Sequence, residues 1–489
     1  MFRNSSYKQI FQTYLFKNKL LGNSAIYMAG NILSQAIAFF ALPVFTRYLT
    51  KADYGILSYT GSVTSFLLVI STLSLHSFIL KYYFERQTEK ERKELFGTIF
   101  LFLMVFNLAL LYIEFQVFPH LLKWFHIQIP FYPYFAIALV INFLQIAPII
   151  PLTYFRVTKK AWGYFWLTSS QAILGILFGL ILVIGSDMGV MGRFYGSLYS
   201  NIISLIVCII IIIKVSRISF NFNTIKKSLK FSLPLLPGGF AGIAIASMDR
   251  IILERYVSLS QLGIYSVGVT LGTSLLIIVR SFYLAVEPEV YELYNQEGFD
   301  EKIVRLKNNL LYVILCIGCI IIIFSREIVS IVASERFYES YTIIPFFVTG
   351  TIFRGAEILV GITLFAMNKT IYQPIIVGVA LLFNVVGNLI FIPLMGIMGA
   401  AFASTLAFMI MLMVSVYITS KFSEISWNCL RDTFLIVISC GISTLIMNIQ
   451  IGILIVTVLV KAIFAVFIFF IALYFFRKNM IGLTSESPF

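Results

Sequence analysis

Charged side chains interrupt the apolar stretches of this chain at few places, and those are where chemistry could occur. Asp249 and Arg250 are adjacent within one stretch, Arg354 and Glu357 lie three apart in another, and Arg280 has no acid within a helical turn. An ionisable group in lipid is costly unless it faces a cavity or a partner, so each marks a binding site or an internal ion pair. Neighbouring residues on a helix point about 100° apart. Asp249 and Arg250 are therefore expected to seek other partners, in a bundle interior or a wet cleft, and an interhelical ion pair is as good a reading as substrate contact. Arg354 and Glu357 share one face and are expected to satisfy each other. Arg280 is the candidate for an unpaired cavity cation, with snorkelling to the inner headgroups as the plainer alternative.

Amides form a second set. Asn31 and Gln35, Asn142 and Gln145, and Asn384 and Asn388 each share a helix face. Such groups bond sugar hydroxyls well, but they also tie helices together, which is the default for any single one. Several stripes in both halves of the chain point towards a polar cavity. Arg47 and Arg255 end apolar runs, where headgroup anchoring is the expected role. Glu114 lies near the outer end of its run and is expected to reach water. Cys316-x-x-Cys319 lies mid-run without His or acidic company and reads as packing. No phosphate loop of the form GxxxxGK[ST] occurs. No cofactor, metal or catalytic constellation is expected, and the chain does not read as an enzyme.

The elements that must position these residues are membrane helices. Of 489 residues 60% are hydrophobic and 12% charged, more apolar surface than a water-soluble chain could bury. Fourteen apolar runs between residues 24 and 476 approach the length that crosses a bilayer, the last interrupted by Lys461. Lys and Arg gather in alternate connections, which places both termini in the cytoplasm. The net charge of +14 would raise nucleic acid as a partner, but the topology accounts for it. No cleavable signal peptide is apparent, and aromatic and aliphatic residues interleaved with Lys8, Lys17 and Lys19 suggest an interfacial helix before the first span.

Three sparse patterns recur at separations of 207–210 residues. Arg47-Tyr48, Gly55-Ile56 and Ser58 return as Arg255-Tyr256, Gly263-Ile264 and Ser266. Met188-Gly189 and Gly192 return as Met395-Gly396 and Gly399, and Thr153, Phe155 and Lys159 return as Thr363, Phe365 and Lys369. The chain therefore reads as an all-α polytopic membrane protein with two parallel six-helix repeats, the build of an alternating-access transporter. The expected organisation is an N-terminal segment 1–22, a first lobe 23–213, a cytoplasmic linker 214–230, a second lobe 231–420, an appended helix pair 421–476 and a cytoplasmic tail 477–489.

Leu42-Pro43, Thr46-Arg47-Tyr48-Leu49 and Asp53-Tyr54-Gly55 resemble the opening signature of the Wzx-type polysaccharide flippases. Asp249-Arg250-Ile251-Ile252-Leu253 followed by Gly263-Ile264-Tyr265 resembles their second-half signature, and the likeness spans residues 20–420. These proteins belong to the multidrug/oligosaccharidyl-lipid/polysaccharide exporter superfamily. The resemblance implies two lobes forming a V that opens to either side in turn. It also implies an undecaprenyl-pyrophosphate-linked glycan moved from the inner to the outer leaflet of the bacterial cytoplasmic membrane. Fourteen spans, rather than the twelve usual for O-antigen members, are shared with the lipid II flippases. Span one carries no acid, so the cation site of some drug exporters is not expected. On this reading Arg280, Arg250 and Arg354 attract the pyrophosphate, with Asp249 and Glu357 beside them, while Asn31, Gln35, Asn142 and Asn384 face the sugars.

The expected partners are the lipid-linked glycan, the bilayer and glycan polymerase or assembly proteins. A small-molecule exporter of the same fold would prefer an acidic cavity. A membrane glycosyltransferase or polymerase would want a long outer loop, and the outer connections are short. A non-transporting scaffold for glycan assembly is the third alternative.

Overall fold

The computed structural model describes residues 4–217, 219–294, 296–451 and 454–484, and all regular structure among them is helical. Among these described residues, thirteen helical segments are long and apolar enough to span a membrane. That is one fewer than the runs counted in sequence. The last helix, the one interrupted by Lys461, contributes the shorter apolar stretch Ile455–Phe470.

The chain divides into two compact units, 1–49 with 63–240 and 50–62 with 241–489. The first contains α1 (Asn4–Tyr48), residues 63–72 of α2 (Lys51–Thr72, whose larger first part belongs to the second unit), α3 (Leu75–Tyr82), α4 (Glu89–Trp124), α5 (Ala136–Leu144), α6 (Ile149–Val157), α7 (Ala161–Leu180), α8 (Gly189–Val215) and α9 (Phe222–Ser232). The second contains most of α10 (Leu236–Leu253), then α11 (Leu259–Gly272), α12 (Leu275–Leu293), α13 (Phe299–Ile323), α14 (Ser325–Val332), α15 (Ile344–Ala366), α16 (Tyr372–Met395), α17 (Ile397–Thr419), α18 (Cys429–Met447) and α19 (Leu454–Thr484). Among the described residues α1 runs unbroken from Asn4, so the stretch expected as an interfacial helix is continuous with the first span. The stretch expected as a linker carries α9, which buries Ile225 and Ser228, exposes Lys226, Lys227 and Lys230, and packs on α3 and α4 of the first unit. The tail is helical to Thr484, and 485–489 lie outside the described residues.

Each recurring pattern marks a backbone device. Both α2 and α11 open with a reciprocal cap. Thr50 N–H donates to the Asp53 carboxylate at 2.9 Å while Asp53 N–H donates to Thr50 Oγ1 at 3.1 Å. Ser258 and Gln261 do the same 208 residues later. These bonds satisfy amides that a helix start leaves open. One turn on, the two helices cross at glycine. A Cβ on Gly55 would collide with the Leu259 carbonyl, and one on Gly263 with the Lys51 carbonyl. Lys51 stands to Gly55 as Leu259 stands to Gly263, so the contact is reciprocal. The approach is close enough for Cα–H···O contacts, and no side chain fits between.

The pattern at Thr153 and Thr363 ends α6 and α15, with the closing turn pairing Lys159 with Asn368, one residue out of the register read in the sequence. Lys159 and Asn368 take left-handed φ values of 56° and 59°. Lys160 N–H then donates to Phe155 O at 2.8 Å and Lys369 N–H to Leu364 O at 2.7 Å, closing each helix with the same terminal turn. The pattern at Met188 and Met395 forms the α7–α8 and α16–α17 hairpins, where Gly189 and Gly396 have positive φ and Gly192 and Gly399 abut backbone of the preceding arm. The spans carrying α2 and α11 both break midway, at Leu73–Ser74 and Thr273–Ser274, and resume as α3 and α12.

In the second unit α15 is buried on nearly every face, because α11, α12, α13, α17 and α18 all pack on it. Small residues permit this crowding: a Cβ on Gly355 would press on Ile314 and Val279, and one on Gly350 on Phe408. The terminal pair α18 and α19 both pack on α13. Lys307 of α13, fully buried, pairs with buried Asp432 of α18 and donates to Trp427 O at 2.8 Å. Lys461 of α19, also fully buried, reaches Glu327 of α14 at 2.6 Å. The appended pair is thus an integral part of the second unit.

Candidate functional site

A cavity in the second unit is walled by α12, α15 and α16 and has a volume of about 400 Å³. Arg354 and Glu357, on one face of α15, form an ion pair there, as their spacing implies. Glu357 is fully buried and also accepts from Gln373 Nε2 of α16 at 3.4 Å. Arg354 is part-exposed to the cavity, and its Nη1 also lies 3.2 Å from Met411 Sδ. Arg280 of α12 lines the same wall and is exposed. Among the described residues its guanidinium has no hydrogen-bond acceptor or ion-pair partner to offset its charge. The lining therefore carries two guanidiniums against one carboxylate, a net positive charge within a membrane helix bundle. Such a site favours an anion, because desolvated arginines bind phosphate oxygens in a planar, two-pronged geometry.

Two further residues belong to this cavity. Tyr283 lies one turn after Arg280 on α12 and donates to Glu287 Oε1 at 3.1 Å. Gln373 holds Glu357, and its own Oε1 is buried without a hydrogen-bond donor. The three-residue step from Arg280 places Tyr283 on the same face and was available in the sequence. Gln373 comes from another helix, and no spacing connects it to Glu357.

Asp249 and Arg250 lie elsewhere in the second unit, and the expectation that they avoid each other is corrected. Arg250 Nη1 comes to 3.6 Å of Asp249 Oδ1, and its backbone N–H donates to the same oxygen at 2.8 Å. The long arginine stem folds back along α10, where Nη1 also donates to Ala246 O at 2.6 Å. That reach offsets the angular step between the two Cβ atoms. Asp249 is buried and accepts the hydroxyl of Tyr265 from α11. Its carboxylate thus ties α10 to α11, and neither residue lines the cavity of Arg280.

The amides divide. Asn384 is buried and donates to Ser404 Oγ of α17 at 3.3 Å, while Asn388, also buried, donates to Asn384 Oδ1 at 3.0 Å. Asn142 is buried and directs its Nδ2 to Ser71 Oγ of α2 at 3.4 Å. Asn384 and Asn142 thus tie helices together, while Asn388 bonds within α16. Asn31 and Gln35 are exposed on α1, and Asn31 accepts from Tyr164 OH of α7 at 3.3 Å. Gln145 is exposed at the break between α5 and α6, and Arg47 and Arg255 are exposed at the ends of their helices. Glu114 does not reach water as expected: it is buried in the first unit, with Oε1 unbonded. Cys316 and Cys319 are buried in α13.

Residues 20–289, more than half of the chain, match the family described as polysaccharide biosynthesis protein. The chain belongs to that family. A relative encoded in the Lsg locus of Haemophilus influenzae is 25% identical over 287 residues, covering 57% of this chain and 68% of the relative. Among solved structures, the lipid II flippase MurJ in an inward closed conformation superposes with a TM-score of 0.74 at 16% identity, over 94% of this chain and all of that one. An inward-facing multidrug resistance transporter of the MATE family, itself in the MOP superfamily, gives 0.61 at 12% identity over 83% of this chain and 99% of that one. These likenesses fix the fold as the polytopic helical fold of that superfamily.

Proposed function

We propose that this family member is a flippase for a lipid-linked glycan. It moves an undecaprenyl-(pyro)phosphate-linked oligosaccharide from the inner to the outer leaflet of the bacterial cytoplasmic membrane by alternating access, and it works as a transporter rather than an enzyme. Both termini face the cytoplasm. The observation that carries this reading is the cavity of Arg280, Arg354 and Glu357, a cationic pocket among membrane helices. Its charge suits a pyrophosphate that would otherwise lose its hydration in hydrocarbon. The family's description as polysaccharide biosynthesis protein and the fold shared with a protein named lipid II flippase both support it. Asn31, Gln35 and Gln145, exposed on membrane helices, are positioned for sugar contacts. Arg250 and Asp249 act on this reading by holding α10 to α11.

The test is translocation of an undecaprenyl-pyrophosphoryl oligosaccharide in proteoliposomes. Arg280→Ala should lower the rate at least tenfold with normal insertion and folding, because the side chain is exposed and makes no structural bond among the described residues, and Arg280→Lys should recover part of it. Wild-type rates in Arg280→Ala would remove the residue from the site. Efflux of cationic dyes in place of glycan transport would replace the reading with drug export.

A further inference from the structure

An open groove of about 520 Å³ runs along α18 in the second unit and shares no lining residue with the cavity of Arg280. Leu430, Phe434 and Ile438 form one row of it, and Arg431, Leu435 and Ser439 the next. Residues four apart stack on one helix face, so both rows run lengthwise. The stretch from Leu430 to Ser439 rises about 14 Å, close to half of the ~30 Å hydrocarbon thickness. A groove of that length serves one leaflet. Leu430, Phe434 and Ile438 are exposed, so the described chain leaves it open. Among the residues that line it, Arg431 alone is charged. This arginine stands in the first turn of α18, at the end of a membrane span, where headgroup phosphates lie.

Hydrogen bonds fix what the guanidinium still offers. Arg431 Nε donates to Asp432 Oδ1 at 3.2 Å. Nη2 donates to the same oxygen at 2.9 Å and to Asn308 Oδ1 of α13 at 3.0 Å. A guanidinium has five N–H groups, one on Nε and two on each terminal nitrogen. Those on Nε and Nη2 are thereby engaged, and the pair on Nη1 has no acceptor among the described residues. Charge is left over as well. Asp432 is the shared partner of Arg431 and Lys307, one carboxylate against two cations, so the trio keeps a single positive charge. Lys307 is fully buried, whereas Arg431 is half-exposed and can present that charge outward.

The groove therefore asks for one negative charge at its mouth and an apolar chain along its length. A free inorganic anion would leave the apolar rows unused. A zwitterionic phospholipid brings its own cation to the phosphate, and a pyrophosphate carries more negative charge than the trio has to spare. A phosphodiester with an uncharged headgroup matches on both counts, and its oxygens suit the paired N–H groups of Nη1. From this match we infer that the α18 groove binds an anionic phospholipid of the phosphatidylglycerol type. Its phosphate sits on Arg431 and an acyl chain lies along Leu430, Phe434 and Ile438. Because Arg431 also holds Asn308, the bound lipid braces α18 against α13. The inference stands independently of the flippase reading.

The experiment uses the full-length chain with Phe434→Trp as a reporter in the groove, the parent chain serving as blank. Both are reconstituted in phosphatidylcholine vesicles containing a rising fraction of phosphatidylglycerol with brominated acyl chains, which quench a tryptophan they touch. Half-maximal quenching should come at about a tenfold lower fraction than with brominated phosphatidylcholine. Adding Arg431→Gln should bring the two lipids together, and Arg431→Lys should keep part of the preference. Ile438→Trp, placed in the parent as reporter and plug at once, leaves the ion cluster intact. It should quench at a higher phosphatidylglycerol fraction than Phe434→Trp, and it stands in if Arg431→Gln does not fold. Equal quenching by the two lipids overturns the inference, as does a preference that survives Arg431→Gln or, failing its folding, the plug. Relief of quenching by undecaprenyl phosphate at a lower fraction than by unlabelled phosphatidylglycerol gives the groove to a polyprenyl lipid and overturns it too.

Discussion

Removing the countercharge of Lys307 should unfasten the C-terminal helices. Lys307 and Asp432 are each almost wholly buried and bonded to one another across α13 and α18. Asp432 also accepts from Arg431 Nη2 at 2.9 Å, but Arg431 is half-exposed and solvent screens that pairing. The stake is therefore the ammonium. In Asp432→Asn the shape persists while Lys307 keeps only Trp427 O and a neutral amide. A buried charge left without its partner costs about 3–5 kcal/mol, whereas replacing both partners by apolar groups is often neutral. For a unit of this size about 2 °C of melting temperature corresponds to 1 kcal/mol, so Asp432→Asn or Lys307→Met should melt roughly 6–10 °C lower. Lys307→Met with Asp432→Leu should return most of that loss. Thermal unfolding of the detergent-solubilised chain, followed by tryptophan emission, compares the parent, the two single variants and the double variant. A double variant no more stable than either single one, or single variants indistinguishable from the parent, would refute the reasoning.

Gly55→Ala and Gly263→Ala each press a methyl against a helix carbonyl that cannot withdraw, and should cost about 1–3 kcal/mol. Gly242→Ala, with open space around its Cβ position, should cost nothing measurable in the same melting assay. Lys461→Met strips Glu327 of its buried partner, so backbone amides of α19 should exchange hydrogen faster while those of α15 stay protected. Alkaline phosphatase fused after residue 489 should be inactive and fused near residue 450 active. The reverse pattern would invert the proposed topology and direction of transport.

The sequence made the duplicated architecture legible because the residues common to both halves answer to the backbone. Thr50-x-x-Asp53 and Ser258-x-x-Gln261 cap helix starts, Gly55 and Gly263 allow a crossing, and the turns at Lys159 and Asn368 close helices. These demands hold wherever the chain folds that way, whichever substrate is carried. Arg354 and Glu357 were readable for a similar reason, since their contact is set by the turn of one helix. Contacts between helices were not. Nothing in the spacing of Gln373 announces Glu357, nor does Lys307 announce Asp432, because those distances depend on how distant spans pack. Asp249 and Arg250 misled in another way: the angle between neighbouring Cβ atoms says little about a side chain long enough to curl back on itself.

The crossing of α2 and α11 has the symmetry of a subunit contact. Matching surfaces meet, and each contributes to the other what it receives. Two separate half-length chains, inserted in the same direction, would join through such a self-complementary patch around a two-fold axis in the membrane. Fusing two such subunits would make their pairing permanent and release each copy from having to carry identical side chains. Arg280 illustrates that freedom: the position 208 residues earlier is Thr72, so this charge stands in one half alone.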